Sequence, residues 1–216
     1  MHFEILVEDV SGKAALDVLV PKIIGSDNTF RVISYNGIGH ITNNMKSKTE
    51  ANKRILLDQL PRLLQGYGKK FNKTNYHGAV IVVCDLDDKC LKAFREELLG
   101  VLNNCNPKPK AVFCIAVEEM EAWLLGDLPA IKKVYPKAKD KELCKYKNDS
   151  ICGTSERLAD AVFAGGAEQL KATHGVGAEK SKWAITITPH MDVETNKSPS
   201  FCYFRDKLRS LTCNSA

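Results

Sequence analysis

The segment at residues 79–84 constrains the fold of this 216-residue chain more than any other. Its sequence, AVIVVC, is apolar throughout and lacks the polar alternation of a strand with one face in water. Such runs are typical of parallel sheets, in which helices cover the strands on both faces. We therefore predict that residues 79–84 form the central strand of a parallel sheet.

Strand-like and helix-like segments alternate on both sides of this run. We predict strands at 3–8, 29–35, 79–84 and 111–117, and helices at about 11–24, 49–64, 91–102 and 118–125. Ser11 would cap the first helix, and Gly66 and Gly68 would end the second. Because right-handed crossovers between parallel strands place helices on both faces, we predict an α/β, doubly wound fold with a mainly parallel four-stranded sheet.

The remainder of the chain, from about residue 128 to residue 216, is predicted to form short helices and loops. Helical patterns occur at 128–134, 155–164 and 180–188, and Ser198 followed by Pro199 opens a last helix. A chain of this length is typical of one domain. We expect a single domain over residues 1–216, with a core at about 1–127 and a helical extension that wraps the sheet.

The sequence also indicates where the protein resides. Its N-terminus lacks the basic segment and apolar run of a secretion signal, and no stretch approaches the ~20 apolar residues of a membrane-spanning helix. The eight cysteines are scattered and include no CxxC pair. We expect a cytoplasmic protein with free thiols and no membrane partner.

Acidic residues follow three of the predicted strands. Glu8 ends the first strand, Asp85 and Asp87 end the third, and Glu119 and Glu121 follow the fourth. Ligands of parallel sheets bind at the carboxyl ends of the strands, where strand order reverses. Two carboxylates about 4 Å apart repel by roughly 4 kcal/mol at an effective dielectric of 20, so such a cluster requires a cation or raised pKa values. Hard oxygen ligands favour Mg²⁺ or Mn²⁺.

The order of these acids resembles a known domain. A glutamate ending the first strand, then a helix, then Asp-Leu-Asp two strands later resembles the Toprim domain of topoisomerases, primases and the nucleases of the OLD (overcoming lysogenization defect) family. In more detail, the chain looks like a stand-alone, Toprim-like bacterial family of unknown function, whose members often sit beside mobile elements and defence genes. The blocks that carry this likeness are LVE at 6–8, DLDDKC at 85–90, AVEEMEAWLLGD at 116–127 and SPSF at 198–201. It covers nearly the whole chain, and residues 117–127 are its most specific part.

The resemblance implies a Toprim-like fold and a divalent-metal-dependent phosphoryl-transfer enzyme, a DNA or RNA nuclease. It implies that Glu8, Asp85 and Asp87 bind Mg²⁺ or Mn²⁺ and serve catalysis. Glu119 or Glu121 would supply a further carboxylate to the metal.

The resemblance also assigns a basic residue and shows one departure. Lys180 matches a basic residue that stands near the scissile phosphate in OLD-type nucleases, and Lys182 is the alternative. Those nucleases usually carry a second acid four residues after the first glutamate, where this chain has Gly12. Either Asp9 substitutes for it, or a second metal is held weakly, or the site binds metal without efficient catalysis.

Basic residues concentrate in two segments, 46–73 and 132–147, within a chain of net charge +5. The second segment includes Lys132, Lys133 and Lys137. We expect contacts with the phosphates of a nucleic acid here, and a solvated basic face is the alternative.

Two other functions stay open. An apolar strand followed by Asp-x-Asp is also the nucleophile loop of haloacid dehalogenase phosphatases, in which Asp85 would become phosphorylated and Asp87 would act as acid and base. A non-catalytic, Toprim-like module would bind nucleic acid or a protein partner from a neighbouring gene. Homo-oligomer formation is compatible with each of these functions.

Overall fold

The computed structural model describes residues 1–41, 53–74, 77–150, 152–173 and 175–213. Within these residues, four strands form one parallel sheet in the order β2-β1-β3-β4. The strands are β1 (His2–Val7), β2 (Thr29–Ser34), β3 (Gly78–Asp85) and β4 (Ala111–Ala116). The predicted α/β fold with a parallel four-stranded sheet is confirmed, and residues 79–84 lie in a strand that is paired on both sides.

Helices connect the strands and cover both faces of the sheet. Helix α1 (Val10–Ile24) joins β1 to β2, α2 (Leu56–Thr74) precedes β3, and α3 (Leu91–Asn103) joins β3 to β4. Successive strand residues face opposite sides, so Ile5 packs in the cluster that contains α1 and Leu6 packs in the cluster that contains α2 and α3. The chain adds β2 on one side of β1 and β3 on the other, so strand order reverses between β1 and β3.

The region after β4 is helical, as predicted. Its helices are α4 (Glu121–Leu125), α5 (Leu128–Val134), α6 (Asp140–Leu143), α7 (Thr154–Val162), α8 (Gly166–Ala172), α9 (Val176–Ile187) and α10 (Pro199–Cys213). Trp183, Phe201 and Phe204 are fully buried and share one core cluster with α1. The described part of this region therefore packs on the α1 face of the sheet. None of the described helices is both long and apolar enough to cross a bilayer.

The second helix differs from the prediction at both ends. It begins at Leu56, and residues 42–52 of the predicted loop and helix lie outside the described residues. It also continues through Gly66 and Gly68 to Thr74. A Cβ atom at Gly68 would lie 2.0 Å from the carbonyl oxygen of Pro107. Glycine is therefore needed at residue 68 for close contact with the 107 loop, and the prediction that it ends the helix was wrong.

Two helix starts were also predicted wrongly. Asp9, not Ser11, caps α1, because its carboxylate accepts a hydrogen bond from the N–H of Gly12 at 2.7 Å. The helix after β4 begins at Glu121, not at 118. Glu118 has a φ of 65°, in the left-handed region, so the chain turns before it can become helical.

A buried polar network fixes the helical region to the end of the sheet. Trp123 Nε1 donates to Ser200 Oγ at 2.9 Å, and Asn196 Nδ2 donates to the carbonyl oxygen of Trp123 at 2.8 Å. The Trp123 ring also stacks on Phe204, with centroids 5.0 Å apart. This part of the 117–127 block therefore has a structural role, since it joins α4 to the start of α10.

Helix α9 packs on α1 through buried apolar side chains, and a lysine of α1 also binds the end of α9. Lys22 Nζ donates to the carbonyl oxygens of Thr188, Pro189 and Met191 at 2.9–3.0 Å. These carbonyls lie just beyond the C-terminal end of α9, where a positive charge is favourable. Lys22 therefore holds this end of α9 against the helix that follows β1.

Ser200→Ala should destabilise the protein by about 1–3 kcal/mol, because it leaves the buried Trp123 N–H without an acceptor. Chemical denaturation measures the change. Ser210→Ala is the matched control, since Ser210 is exposed on the same helix, and it should change the free energy of unfolding by less than about 0.5 kcal/mol. Equal effects of the two substitutions would contradict a structural role for this network.

Candidate functional site

The candidate site lies at the carboxyl ends of β1 and β3, where strand order reverses. Val7 of β1 pairs with Val83 of β3, so the residues after these two strands emerge side by side. The backbone N–H of Asp85 donates to Glu8 Oε2 at 3.3 Å. The sheet therefore brings Glu8 and Asp85 together at the position where parallel α/β proteins bind ligands.

Asp85 is the central carboxylate of the site. Its side chain keeps some contact with solvent, yet protein atoms surround it closely. Burial raises the pKa of Asp85 well above its usual range, and the negative charges of Glu8 and Glu121 raise it further. Among the described residues, none donates a hydrogen bond to its carboxylate oxygens. The nearby Lys180 ammonium opposes this rise in pKa only in part, so Asp85 favours its protonated form unless a further cation binds.

Glu8 is perturbed in the same direction. Burial raises its pKa to about 7; the hydrogen bond from the Asp85 backbone opposes this shift, and the charges of Asp87 and Asp9 add to it. Two neighbouring carboxylates with raised pKa values are a common feature of functional sites. At this site, ionisation of Glu8 and Asp85 is unfavourable unless a cation binds beside them.

A second acidic pair, Glu119 and Glu121, interacts electrostatically with Asp85 and is bridged by a lysine. Lys180 Nζ of α9 lies 2.8 Å from Glu119 Oε1 and 3.3 Å from Glu121 Oε2. Burial raises the pKa of Glu121 to about 7 although Lys180 opposes that shift. Burial alone would lower the pKa of Lys180, but the charges of Glu121 and Glu119 outweigh it and raise that pKa. Lys180 is therefore the cation of an acidic cluster that comprises Glu8, Asp85, Glu119 and Glu121.

The loops that follow β3 and β4 are joined by their backbones. Asp87 and Glu118 both adopt left-handed conformations, with φ angles of 50° and 65°, and the N–H of Asp87 donates to the carbonyl oxygen of Glu118 at 3.0 Å. The Asp87 side chain is exposed and lies 3.4 Å from Lys89 Nζ. The Glu118 carboxylate instead accepts the N–H of Thr154 at 2.7 Å, at the start of α7. Glu118 is therefore an anchor and not a member of the cluster.

The position of the expected second acid is crowded. A Cβ atom at Gly12 would lie 2.7 Å from Val7 Cγ2 and 2.9 Å from Met120 Sδ, so a side chain there would require both of these side chains to shift. Asp9, the proposed substitute, uses one carboxylate oxygen to accept the Gly12 N–H and the other to accept the Ser11 hydroxyl at 2.5 Å. Asp9 thus serves as a helix cap.

These donors suit a hard divalent cation only in part. Across the described ranges, no three histidine, cysteine, aspartate or glutamate side chains come close enough together to hold one ion. Glu8 and Asp85 are neighbours, whereas Asp87 faces Lys89. Mg²⁺ commonly uses one or two protein carboxylates and fills its other positions with water and phosphate oxygens. Glu8 and Asp85 are compatible with that requirement, and the ligand roles of Glu8, Asp85 and Asp87 all stay predictions.

Of the basic residues predicted from the sequence, Lys180 contacts the acidic residues of the site and Lys182 does not. Lys182 lies two residues beyond Lys180 but pairs with Glu179 at 3.0 Å, so Lys180 is the one that reaches the acids. The side chains of Lys132, Lys133 and Lys137 are exposed. Lys132 pairs with Asp140 at 2.5 Å. The first basic segment, 46–73, falls partly outside the described residues.

A groove of about 360 Å³ begins beside the loops that carry Asp87 and Glu118. Its lining includes Leu91 and Val117, which adjoin those loops in the sequence, and the guanidinium of Arg95 lies over the ring of Tyr203 at 5.3 Å. The groove combines apolar surface with an aromatic ring and a cation. Those are the groups on which nucleobases stack.

The structural roles of two residues near the site were not predicted from the sequence. Lys22 gives no sequence signal, since nothing marks a lysine in a helix as the partner of carbonyl groups 166 to 169 residues away. Glu118 stands in an acidic run from which any member could face the site. Its left-handed backbone conformation, which Glu119 and Glu121 do not share, distinguishes Glu118 from them.

Comparisons with known proteins give a family and no activity. A family model described as a domain of unknown function (DUF4276) matches residues 7–209. No curated protein and no solved structure gave a significant match. The match names no reaction, so the resemblance to the Toprim domain stays a prediction.

The stability of the metal-free protein should fall as pH rises from 5 to 8. A carboxyl group whose pKa is about 7 in the folded state and about 4.5 unfolded binds its proton more tightly when folded, so the free energy of unfolding decreases across that interval. In the wild type, Glu8 should lower the free energy of unfolding by ~1–2 kcal/mol over this interval, after allowance for its partial exposure. In Glu8→Gln this decrease should be absent. Urea unfolding in EDTA measures the difference.

Glu97→Gln is the matched control for this pH dependence, because Glu97 lies exposed on α3. Its slope should stay close to that of the wild type. If the free energy of unfolding depends on pH equally in Glu8→Gln and in the wild type, Glu8 ionises as it does in water.

Proposed function

This chain belongs to the family described as a domain of unknown function (DUF4276), and from its site we propose that it is a divalent-metal-dependent phosphoryl-transfer enzyme, a nuclease of the Toprim kind. The observation that carries this proposal is the Asp85 carboxylate. It stands beside Glu8 where strand order reverses, and no described residue donates a hydrogen bond to it. A cation is the ligand that best compensates two such carboxylates.

Glu8 and Asp85 would hold Mg²⁺ or Mn²⁺ in this enzyme. A bound ion would neutralise charge on the phosphate and lower the pKa of an attacking water. Asp87 projects into solvent from the same loop, where it can approach a substrate. Lys180 balances the charges of Glu119 and Glu121 and so reduces their repulsion of an incoming phosphate.

A nucleic acid is the substrate that the surroundings of the site favour. The groove beside the Asp87 loop has apolar surface and the cation Arg95, although Arg95 and Lys207 already lie over the ring of Tyr203 and Asp149 also lines the groove. Lys133 and Lys137 are exposed cations. A cytoplasmic location and a role beside bacterial defence or mobile elements stay predictions.

A non-catalytic module is the second candidate, and a specific observation favours it. The crowding at Gly12 and the pairing of Lys180 with two carboxylates leave few ligands for a metal. Among the described acids near the strand ends, Glu8 and Asp85 form no salt bridge, and Glu8 already accepts the Asp85 N–H. Such a module would bind nucleic acid or a partner protein without cleavage.

Asp85→Asn should abolish hydrolysis of nucleic acid, with a loss of at least about 100-fold, the scale expected when charge stabilisation is removed. The assay incubates the pure protein with single- and double-stranded DNA and RNA in Mg²⁺, Mn²⁺ or EDTA. Asp88→Asn is the matched control, since Asp88 is an exposed acid of the same loop, and it should keep activity.

Two results would contradict this proposal. A wild-type protein that cleaves none of the four nucleic acids with either ion would favour the binding module. Trapping with beryllium fluoride or borohydride tests the phosphatase alternative, because only that mechanism passes through a phosphorylated Asp85.

Nucleic-acid binding should weaken steeply with salt, with a slope of about −0.9 for each duplex phosphate that a lysine or arginine neutralises. Reversal of charge at Lys132, Lys133 and Lys137 should flatten the slope by about 0.9 for each phosphate that these side chains neutralise in the wild type. Lys132 should contribute least, because it already pairs with Asp140. Fluorescence anisotropy over a salt series measures the slope, and Asp85→Asn should leave it unchanged. Salt-independent binding would assign these lysines to solvated surface.

A further inference from the structure

Lys180 reaches the acidic cluster from a distant helix and is held there firmly. It belongs to α9, and its neighbour Trp183 is fully buried in the core. Lys22 fixes the end of the same helix to α1. Lys180 therefore projects from a helix that is anchored to the core, and its side chain is only 18% exposed.

The contacts of this ammonium are those of a bound cation. Nζ lies 2.8 Å from an oxygen of Glu119 and 3.3 Å from an oxygen of Glu121, and it also interacts electrostatically with Asp85. The second oxygen of Glu119 accepts the Thr154 hydroxyl at 3.3 Å. Both oxygens of Glu119 are thus occupied without a metal.

The surrounding structure leaves little room for another ion. The two-metal sites of phosphoryl-transfer enzymes hold their ions about 3.5–4 Å apart and need donors for both. Here Val7 and Met120 crowd the position of Gly12, and Asp9 caps the helix. Glu119 and Glu121 are bridged by Lys180.

We infer that the Lys180 ammonium occupies the second cation position of this site, so that the protein binds one divalent ion where two-metal nucleases bind two. This inference rests on the proposed function, since it assumes that Glu8 and Asp85 bind the first ion. A lysine ammonium is a compact point charge on a flexible stem, which suits it to replace an ion between two carboxylates.

Metal stoichiometry tests the inference without any measurement of activity. Titration with Mn²⁺, followed by electron paramagnetic resonance, should give one ion per wild-type chain. Lys180→Met keeps the apolar stem but removes the charge, and it should give a second Mn²⁺ per chain. Lys180→Arg should stay at one. Lys182→Met is the matched control, because Lys182 is exposed and pairs with Glu179, and it should also stay at one.

A second measurement does not depend on whether Lys180→Met folds. In a chain that keeps Lys180, Glu121→Gln should raise the Kd for Mn²⁺ by no more than the roughly 10–100-fold typical of a group that does not itself bind the metal, whereas Asp85→Asn should raise it by more than about 100-fold. Two ions in the wild type would overturn the inference. An unchanged count of one in folded Lys180→Met, or equal losses in Glu121→Gln and Asp85→Asn, would also overturn it.

The inference and the proposed function fail in different ways. If the wild type binds no Mn²⁺ but Lys180→Met gains one ion that Glu121→Gln removes, Lys180 does replace a cation and the proposed metal-dependent function fails. If the wild type binds one ion at Asp85 and Lys180→Met gains none, the proposed function stands and the inference fails.

Discussion

The parallel pairing of β1 with β3 is the constraint on which the rest of the site depends. It is formed only because the chain crosses one face of the sheet to reach β2 and returns over the other. This crossing ends both strands at the same edge and places Glu8 against the backbone of Asp85. The high pKa of each carboxyl group, and the demand for a counter-charge, follow from that placement.

Much of the sheet could be predicted from sequence, since an uninterrupted apolar run has few alternatives to a buried parallel strand. The neighbourhood of Glu8 and Asp85 then follows from topology. The pairing of Lys180 with Glu119 could not be derived from the pattern of residues, because it depends on how α9 packs, 61 residues further along the chain. The continuation of α2 through Gly66 and Gly68 could not be predicted for a similar reason. Its Gly68 serves a contact with Pro107 that no local signal reveals.

The acidic run after β4 divides its members between fold and site. Glu118 anchors the start of α7, whereas Glu119 and Glu121 face Lys180. Trp123, two residues later, bonds to Ser200 and joins the helical region to the sheet. This block therefore combines structural and ionisable residues, and its sequence alone does not indicate which of them bind a ligand.

Glu118 also connects places that lie far apart in the sequence. Its carboxylate holds the first turn of α7, and its carbonyl oxygen holds the backbone of Asp87. The orientation of Asp87 is consequently set in part by residues near 154, outside the strand ends. A substitution at the start of α7 can therefore change the conformation of the Asp87 loop without any change to Glu8 or Asp85. Adaptation to a new ligand then has a route that bypasses the two central carboxylates.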